Sequence, residues 1–147
     1  MSQTPTVPPL LNRAMKFVLR SPMHGMVSKS VLLLSFTGRK SGKTYTTPVS
    51  YSQNDDRVTI FTHATWWKNL RNATPVTLRI RGRELQGLAE PVAEDKGAVA
   101  AGLAAHLRKV PSDARYYGVT FDELGNPRAE EVEQAVQSVV MIPIQLC

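Results

Sequence analysis

From Val31 onward the hydrophobic pattern is that of short strands. Val31–Thr37 is apolar and partly β-branched, and a glycine bounds it. Gly38-Arg39-Lys40-Ser41-Gly42 is a glycine-bracketed turn, and Lys43–Ser52, rich in Thr, Val and Tyr, predicts a second strand. Gln53-Asn54-Asp55-Asp56 turns the chain into a third strand, Arg57–Thr62. Val76–Arg81 alternates β-branched or apolar residues with polar ones, and Gly82 makes a tight turn into Glu84–Val92, so these two form a hairpin. Val139–Leu146 is a last apolar strand, in which Pro143 predicts an edge position or a bulge.

Helical spacing appears elsewhere. Leu10, Leu11, Ala14, Met15, Val18 and Leu19 share a face within residues 10–20, and Pro22 ends that helix. A second basic amphipathic piece is expected at residues 23–29. Thr65 is placed to cap a short helix, Trp66–Asn72, which Pro75 stops. Residues 93–109 are alanine-rich, acidic at the start and basic at Arg108-Lys109, which matches a helix dipole. Residues 110–127 read as loop and Arg128–Ser138 as a further helix. About six mostly antiparallel strands with helices at the ends and in one connection predict a mainly β (α+β) fold, a small barrel with helical covers. Residues 1–9, with Pro5, Pro8 and Pro9, read as a disordered lead, and residues 10–147 as one domain.

Composition narrows the class of protein. The 147 residues are 42% hydrophobic and 20% charged, a globular balance. The single cysteine, Cys147, excludes a disulfide framework within the chain and a cysteine-based zinc site. No apolar run is long enough to span a membrane, and the N-terminus lacks the pattern of a signal peptide, so a cytoplasmic location is expected. The formal net charge is +6, and its distribution is uneven. Arg39, Lys40, Lys43, Arg57, Lys68, Arg71, Arg79, Arg81 and Arg83 face only Asp55 and Asp56 within the same stretch. An anionic partner is therefore expected to dock on that stretch.

The turn at Gly38–Lys43 superficially resembles a phosphate-binding P-loop. It has three residues between its glycines where a P-loop needs four, and the β-branched, proline-stopped Tyr45-Thr46-Thr47-Pro48 cannot open a helix behind it. An NTPase is thus rejected. Its physical content survives: two glycines let backbone N–H groups approach an anion, and Arg39, Lys40, Lys43, Ser41 and Thr44 surround them. Adjacent tryptophans, Trp66-Trp67, point to different sides of a short helix, so one can enter the core while the other walls a site for a flat ligand. His24, His63 and His106 have no metal-ligand spacing and read as surface or satisfied residues, with His63 placed to touch a ligand. No Gly-x-Ser-x-Gly elbow supports a serine hydrolase. Glu130, Glu131 and Glu133 read as a solvated helix face, and Tyr116-Tyr117 as packing lids in a loop.

Three segments in order carry a resemblance. Thr37-Gly38-Arg39-Lys40-Ser41-Gly42-Lys43-Thr44-Tyr45-Thr46-Thr47-Pro48-Val49 resembles the signature of the deazaflavin-dependent nitroreductase family. Arg57–Thr62 with Trp66-Trp67-Lys68-Asn69-Leu70 is similar to its next strand and tryptophan helix, and Val139–Ile144 to its closing strand. The resemblance implies a split β-barrel of the FMN-binding type and coenzyme F420, a deazaflavin with a phosphate and an oligoglutamate tail. It implies that Arg39, Lys40 and Ser41, with Lys43 beside them, bind the anionic part, and that Tyr45, Thr46, Thr47, Pro48, Val49 and Ser50 line the ring and ribityl side. Phe61, Thr62, His63 and Ala64 would flank the ring, and Thr65, Trp66, Trp67, Lys68 and Asn69 would complete the pocket. Tyr116 and Tyr117 correspond to tyrosines near the family's substrate pocket. Many members carry a lysine and glycine-rich loop where this chain has only His63-Ala64-Thr65, which leaves FMN as the alternative cofactor.

The activity expected from this resemblance is hydride transfer from reduced coenzyme F420 to a quinone or nitroaromatic. The cofactor brings the redox chemistry and the protein brings orientation and shielding. Tyr116 or Tyr117 would hydrogen-bond the acceptor or deliver a proton. A non-catalytic binder of cofactor or lipid is the alternative, its N-terminal helix resting on a membrane surface. Nucleic-acid binding is disfavoured, because the aromatics form one cluster and no recognised module is present. A small-molecule redox substrate is the expected partner, and the protein is expected as a monomer or homodimer.

Overall fold

The computed structural model describes residues 31–147. The expected lead at 1–9, the helix at 10–20 and the basic piece at 23–29 lie outside the described residues. Six strands, β1 (Val31–Thr37), β2 (Thr44–Asn54), β3 (Arg57–Thr62), β4 (Thr74–Ile80), β5 (Arg83–Ala89) and β6 (Val140–Leu146), close into one barrel. Their order around it is β1-β2-β3-β6-β5-β4, and every pairing is antiparallel.

Alternation along the strands divides the side chains between two cores. Leu32, Leu34 and Phe36 of β1, Val58 and Ile60 of β3, Val76 and Leu78 of β4, and Ile142 and Ile144 of β6 fill the barrel. Phe61, one residue out of phase with Ile60, points outward into a second core. That core is built by α1 (Lys96–Lys109), α2 (Ala129–Ala135) and a 3-10 segment, Pro111–Tyr117, through Val99, Leu103, Leu107, Ala114 and Val132. Helix α1 begins at Lys96 because the Asp95 side chain caps it, accepting from the Ala98 N–H at 3.1 Å. At Gly102 a Cβ would collide with the Met141 sulfur, so α1 lies hard against β6.

Several local expectations are corrected. The tryptophan helix is a 3-10 turn, Thr65–Leu70; Ala64 precedes it and no side chain caps it, so Thr65 is its first residue. Asn72 and Ala73 take left-handed φ of 68° and 58°, and Pro75 already belongs to β4. Pro143 is at neither an edge nor a bulge. Its carbonyl accepts from the Glu90 N–H at 3.1 Å, so its ring nitrogen faces the same side, just past the end of β5, where no ladder donor is required. Strand β5 stops at Ala89, and Val92 contributes an isolated bridge to Met141. The β4–β5 turn is a two-residue connection with Arg81 and Gly82 at φ 51° and 79°, the geometry that matches strand twist.

The barrel wall parts between two of its strands. Strand β2 pairs with β1 from Thr44 to Ser50, whereas its pairing with β3 begins only at Tyr51. The free flank of β2 and the end of β3 diverge there, and the Pro111–Tyr117 segment faces the gap.

Candidate functional site

At one end of the barrel the β1–β2 tip meets the tryptophan turn. A cleft of about 240 Å³ lies between them, lined by Gly38, Arg39, Lys40, Ser41, Tyr45, Thr65, Trp66, Lys68 and Asn69. Asn69 ties the two pieces together: its Oδ1 accepts from the Arg39 backbone N–H at 3.0 Å and its Nδ2 donates to the Trp66 carbonyl at 2.9 Å. The Ser41 hydroxyl lies 3.1 Å from the Tyr45 hydroxyl and accepts from the Lys43 N–H at 3.2 Å. A Cβ on Gly38 would lie 2.7 Å from the Tyr45 ring, so glycine is what lets the tip fold over that tyrosine. Phe36 stacks on Trp66 with centroids 5.3 Å apart and tilts against Tyr45 at 5.9 Å.

A second cleft, about 520 Å³, opens in the split. It is lined by Val31, Thr47, Pro48, Val49, Ser50, Phe61, Thr62, His63, Trp66, Ser112, Asp113, Arg115, Tyr116 and Tyr117. Trp66 lines both clefts, so the cationic lip and the aromatic gap are adjoining parts of one site. His63 stacks on Tyr117 at 5.5 Å between centroids. Burial first, and then the Asp113 carboxylate, push the Tyr117 phenol up to about 12, so it keeps its proton through the neutral range. Tyr116 is exposed, with the Arg115 guanidinium 5.3 Å from its ring centre.

Not every expected residue reaches these clefts. Lys43, Thr46, Ala64 and Trp67 line neither. The Thr46 hydroxyl is 2.8 Å from Ser35, on the barrel wall. Ala64 is buried in the barrel core. Trp67 is half-buried beside that core, under the Arg71 guanidinium at 5.0 Å. Of the two tryptophans it is therefore the buried Trp66 that forms the wall. The basic stretch is also divided. Strand pairing carries Arg39, Lys40, Lys43, Lys68 and Arg71 to the tip end, and Arg57, Arg79, Arg81 and Arg83 to the opposite end, beside Asp55, Asp56 and Glu84. The tip cations Arg39, Lys40 and Lys68 line a cleft that contains no carboxylate.

Sequence reading missed Val31, Ser112, Asp113 and Arg115 in the second cleft. It also missed a network behind the cleft wall. Asp113 Oδ2 accepts from the Ser50 hydroxyl and lies 2.8 Å from Nε2 of His106, a buried histidine of α1 that is satisfied at this nitrogen rather than lying on the surface. Its Nδ1 is buried without a hydrogen-bond partner. Burial opposes the charge on Asp113, but hydrogen bonds from His106 and Ser50 and the electrostatic attraction of His106 and Arg115 outweigh it and hold the carboxyl below its ordinary value. Seven residues separate Asp113 from His106 and sixty-three from Ser50, a spacing that matches no motif.

The fold and the two-part cleft define a split-barrel cofactor-binding protein. Solved structures agree on the fold. A candidate 5-nitroimidazole antibiotic resistance protein from Bacteroides thetaiotaomicron superposes with TM-score 0.55 at 13% identity, over 84% of this chain and 76% of that one. The FAD and heme binding protein from Mycobacterium smegmatis gives 0.53 at 14%, over 87% and 67%. An FAD-binding protein from Mesorhizobium loti gives 0.50 at 14%, over 86% and 87%. No curated protein matches by sequence. The family model described as F420H(2)-dependent quinone reductase matches residues 17–124, and the chain belongs to that family. It is an F420-dependent oxidoreductase, and F420 displaces FMN as its cofactor. The donor set fits that group: cations and a hydroxyl at the lip suit phosphate and carboxylates, and the aromatic gap suits a planar ring.

Proposed function

We propose that this protein reduces a quinone or nitroaromatic, with Arg39, Lys40, Ser41 and Lys68 holding the anionic tail of coenzyme F420. Thr47, Pro48, Val49, Phe61, Thr62, His63 and Trp66 would hold its ring, and Tyr116, Tyr117, Asp113 and Arg115 would surround the acceptor. When bound and reduced, the coenzyme supplies a hydride. The chain's own work is positioning and proton management. The Asn69 bridge fixes the lip relative to Trp66, so tail and ring are held in register. Tyr117, protonated across the neutral range, offers an O–H to an acceptor oxygen and does not act as a base.

The single observation that carries this reading is the sharing of Trp66 by the cationic and aromatic clefts. It predicts one ligand with a charged end and a flat end. The test is an anaerobic fluorescence titration with coenzyme F420, followed by oxidation of the reduced coenzyme with menadione. Saturable binding and turnover are expected. The double variant Arg39→Glu, Lys40→Glu is expected to bind at least about tenfold more weakly. Binding indifferent to that reversal, or no menadione-dependent oxidation, would overturn the proposal.

A further inference from the structure

The network behind the second cleft presents a fixed negative charge to it. Asp113 comes from the 3-10 segment Pro111–Tyr117, and its side chain is 11% accessible, on the cleft face. Ser50 from β2 and His106 from α1 both engage Oδ2, so the carboxylate is braced from two elements. The unpartnered Nδ1 of His106 also defines the proton arrangement. A buried N–H with no acceptor is costly, so Nε2 carries the proton, donates it to Asp113, and leaves Nδ1 bare. The brace is an imidazole N–H donating to the carboxylate. The other polar groups of this cleft include the Arg115 guanidinium, the Tyr116 and Tyr117 phenols, His63, Ser112, Thr47 and Thr62.

A carboxylate held in this way is a poor proton source and a strong hydrogen-bond acceptor. Nothing in the hydride transfer itself calls for an anion beside the acceptor, which gains electron density as it is reduced. We infer that Asp113 is a specificity-determining residue that accepts a hydrogen bond from an O–H or N–H of the electron acceptor, with His106 as its positioning residue. The acceptor class is then a planar, uncharged, electron-poor ring bearing a donor group, and anionic rings are turned away from this end of the site. The inference rests on the proposed reductase reading and deepens it.

The test compares menadione with its analogues carrying 2-hydroxymethyl or 2-carboxylate in place of the 2-methyl group. Dissociation constants are read by tryptophan quenching with the full chain and oxidised coenzyme, and KM and kcat are read separately. The hydroxymethyl compound is expected to bind about tenfold more tightly than menadione, and the carboxylate about tenfold more weakly. In Asp113→Asn both ratios should contract to within about threefold. His106→Gln keeps an N–H for the carboxylate and should retain the ratios, whereas His106→Leu should lose them. Equal affinities across the series in the unaltered protein, or undiminished ratios in Asp113→Asn, would overturn the inference. Should Asp113→Asn fail to fold, the series on the unaltered protein decides. Discrimination in binding without any turnover would sink the reductase reading and support Asp113; turnover with a flat series would do the reverse.

Discussion

Tyr117 shows how the environment of one side chain sets its chemistry. Its phenol is raised to about 12 by burial and by the nearby carboxylate of Asp113. A group whose folded value is raised contributes stability below its unfolded value, and that stability drains away as pH climbs toward the folded value. Alkaline loss of stability is therefore expected to set in near pH 10 and continue to about 12. Ultraviolet titration should show one late-ionising tyrosine, absent in Tyr117→Phe, whose alkaline limb should be flatter. Asn69 is the second such residue. It makes two hydrogen bonds, one to the lip and one to the tryptophan turn. Asn69→Ala is expected to weaken F420 binding roughly fivefold, at about 1 kcal/mol for a lost hydrogen bond, while leaving the barrel's urea midpoint nearly unmoved because the site is peripheral. A large fall in that midpoint would count against a site-specific role.

At the scale of elements, the parts governed by local chemistry were readable. Strands β1 and β3 fall on the expected residues because an apolar run closed by glycine, or opened by an Asp turn, has few other options. The Arg81-Gly82 hairpin was equally legible from its glycine. What could not be read was set by packing. The start of α1 moved to Lys96 because one aspartate among several acidic residues caps it. Residues 111–117 looked like loop because a 3-10 turn has no hydrophobic period of its own. Glu131, expected to be merely solvated, accepts from the backbone and hydroxyl of Thr120 at 2.7 and 2.8 Å. For the site, the lip was visible because its cations and glycines are contiguous. The wall made by Asp113 and Arg115, with His106 behind it, was invisible because two separate elements bring it to Ser50 on β2.

For the whole molecule, barrel topology reorganises a charge pattern that looks continuous in the chain. Arg81 and Arg83 sit at the end remote from the lip, and Arg79 pairs with Glu84 at 3.5 Å. Opposite ends of a barrel lie beyond a Debye length at physiological salt, about 8 Å. Arg81→Ala with Arg83→Ala is therefore expected to leave F420 affinity within about twofold, measured by the same fluorescence titration that registers the Arg39 and Lys40 reversal. Equal losses from both pairs would mean that the anionic tail is not confined to the lip. Among the described residues no helix is long and apolar enough to cross a membrane.

The position of β6 between β3 and β5 has a consequence for how the molecule comes into being. Five strands leave the ribosome before it, and until it is delivered two of them expose unpaired edges. Closure then joins segments more than eighty residues apart, such as Arg57 with Gln145, which favours slow completion. A nascent chain stalled after α2 should be cut readily by protease, and one carried through Leu146 with a tether long enough to clear the exit tunnel should resist. Protection already present in the shorter chain would show that the barrel does not wait for its last stave.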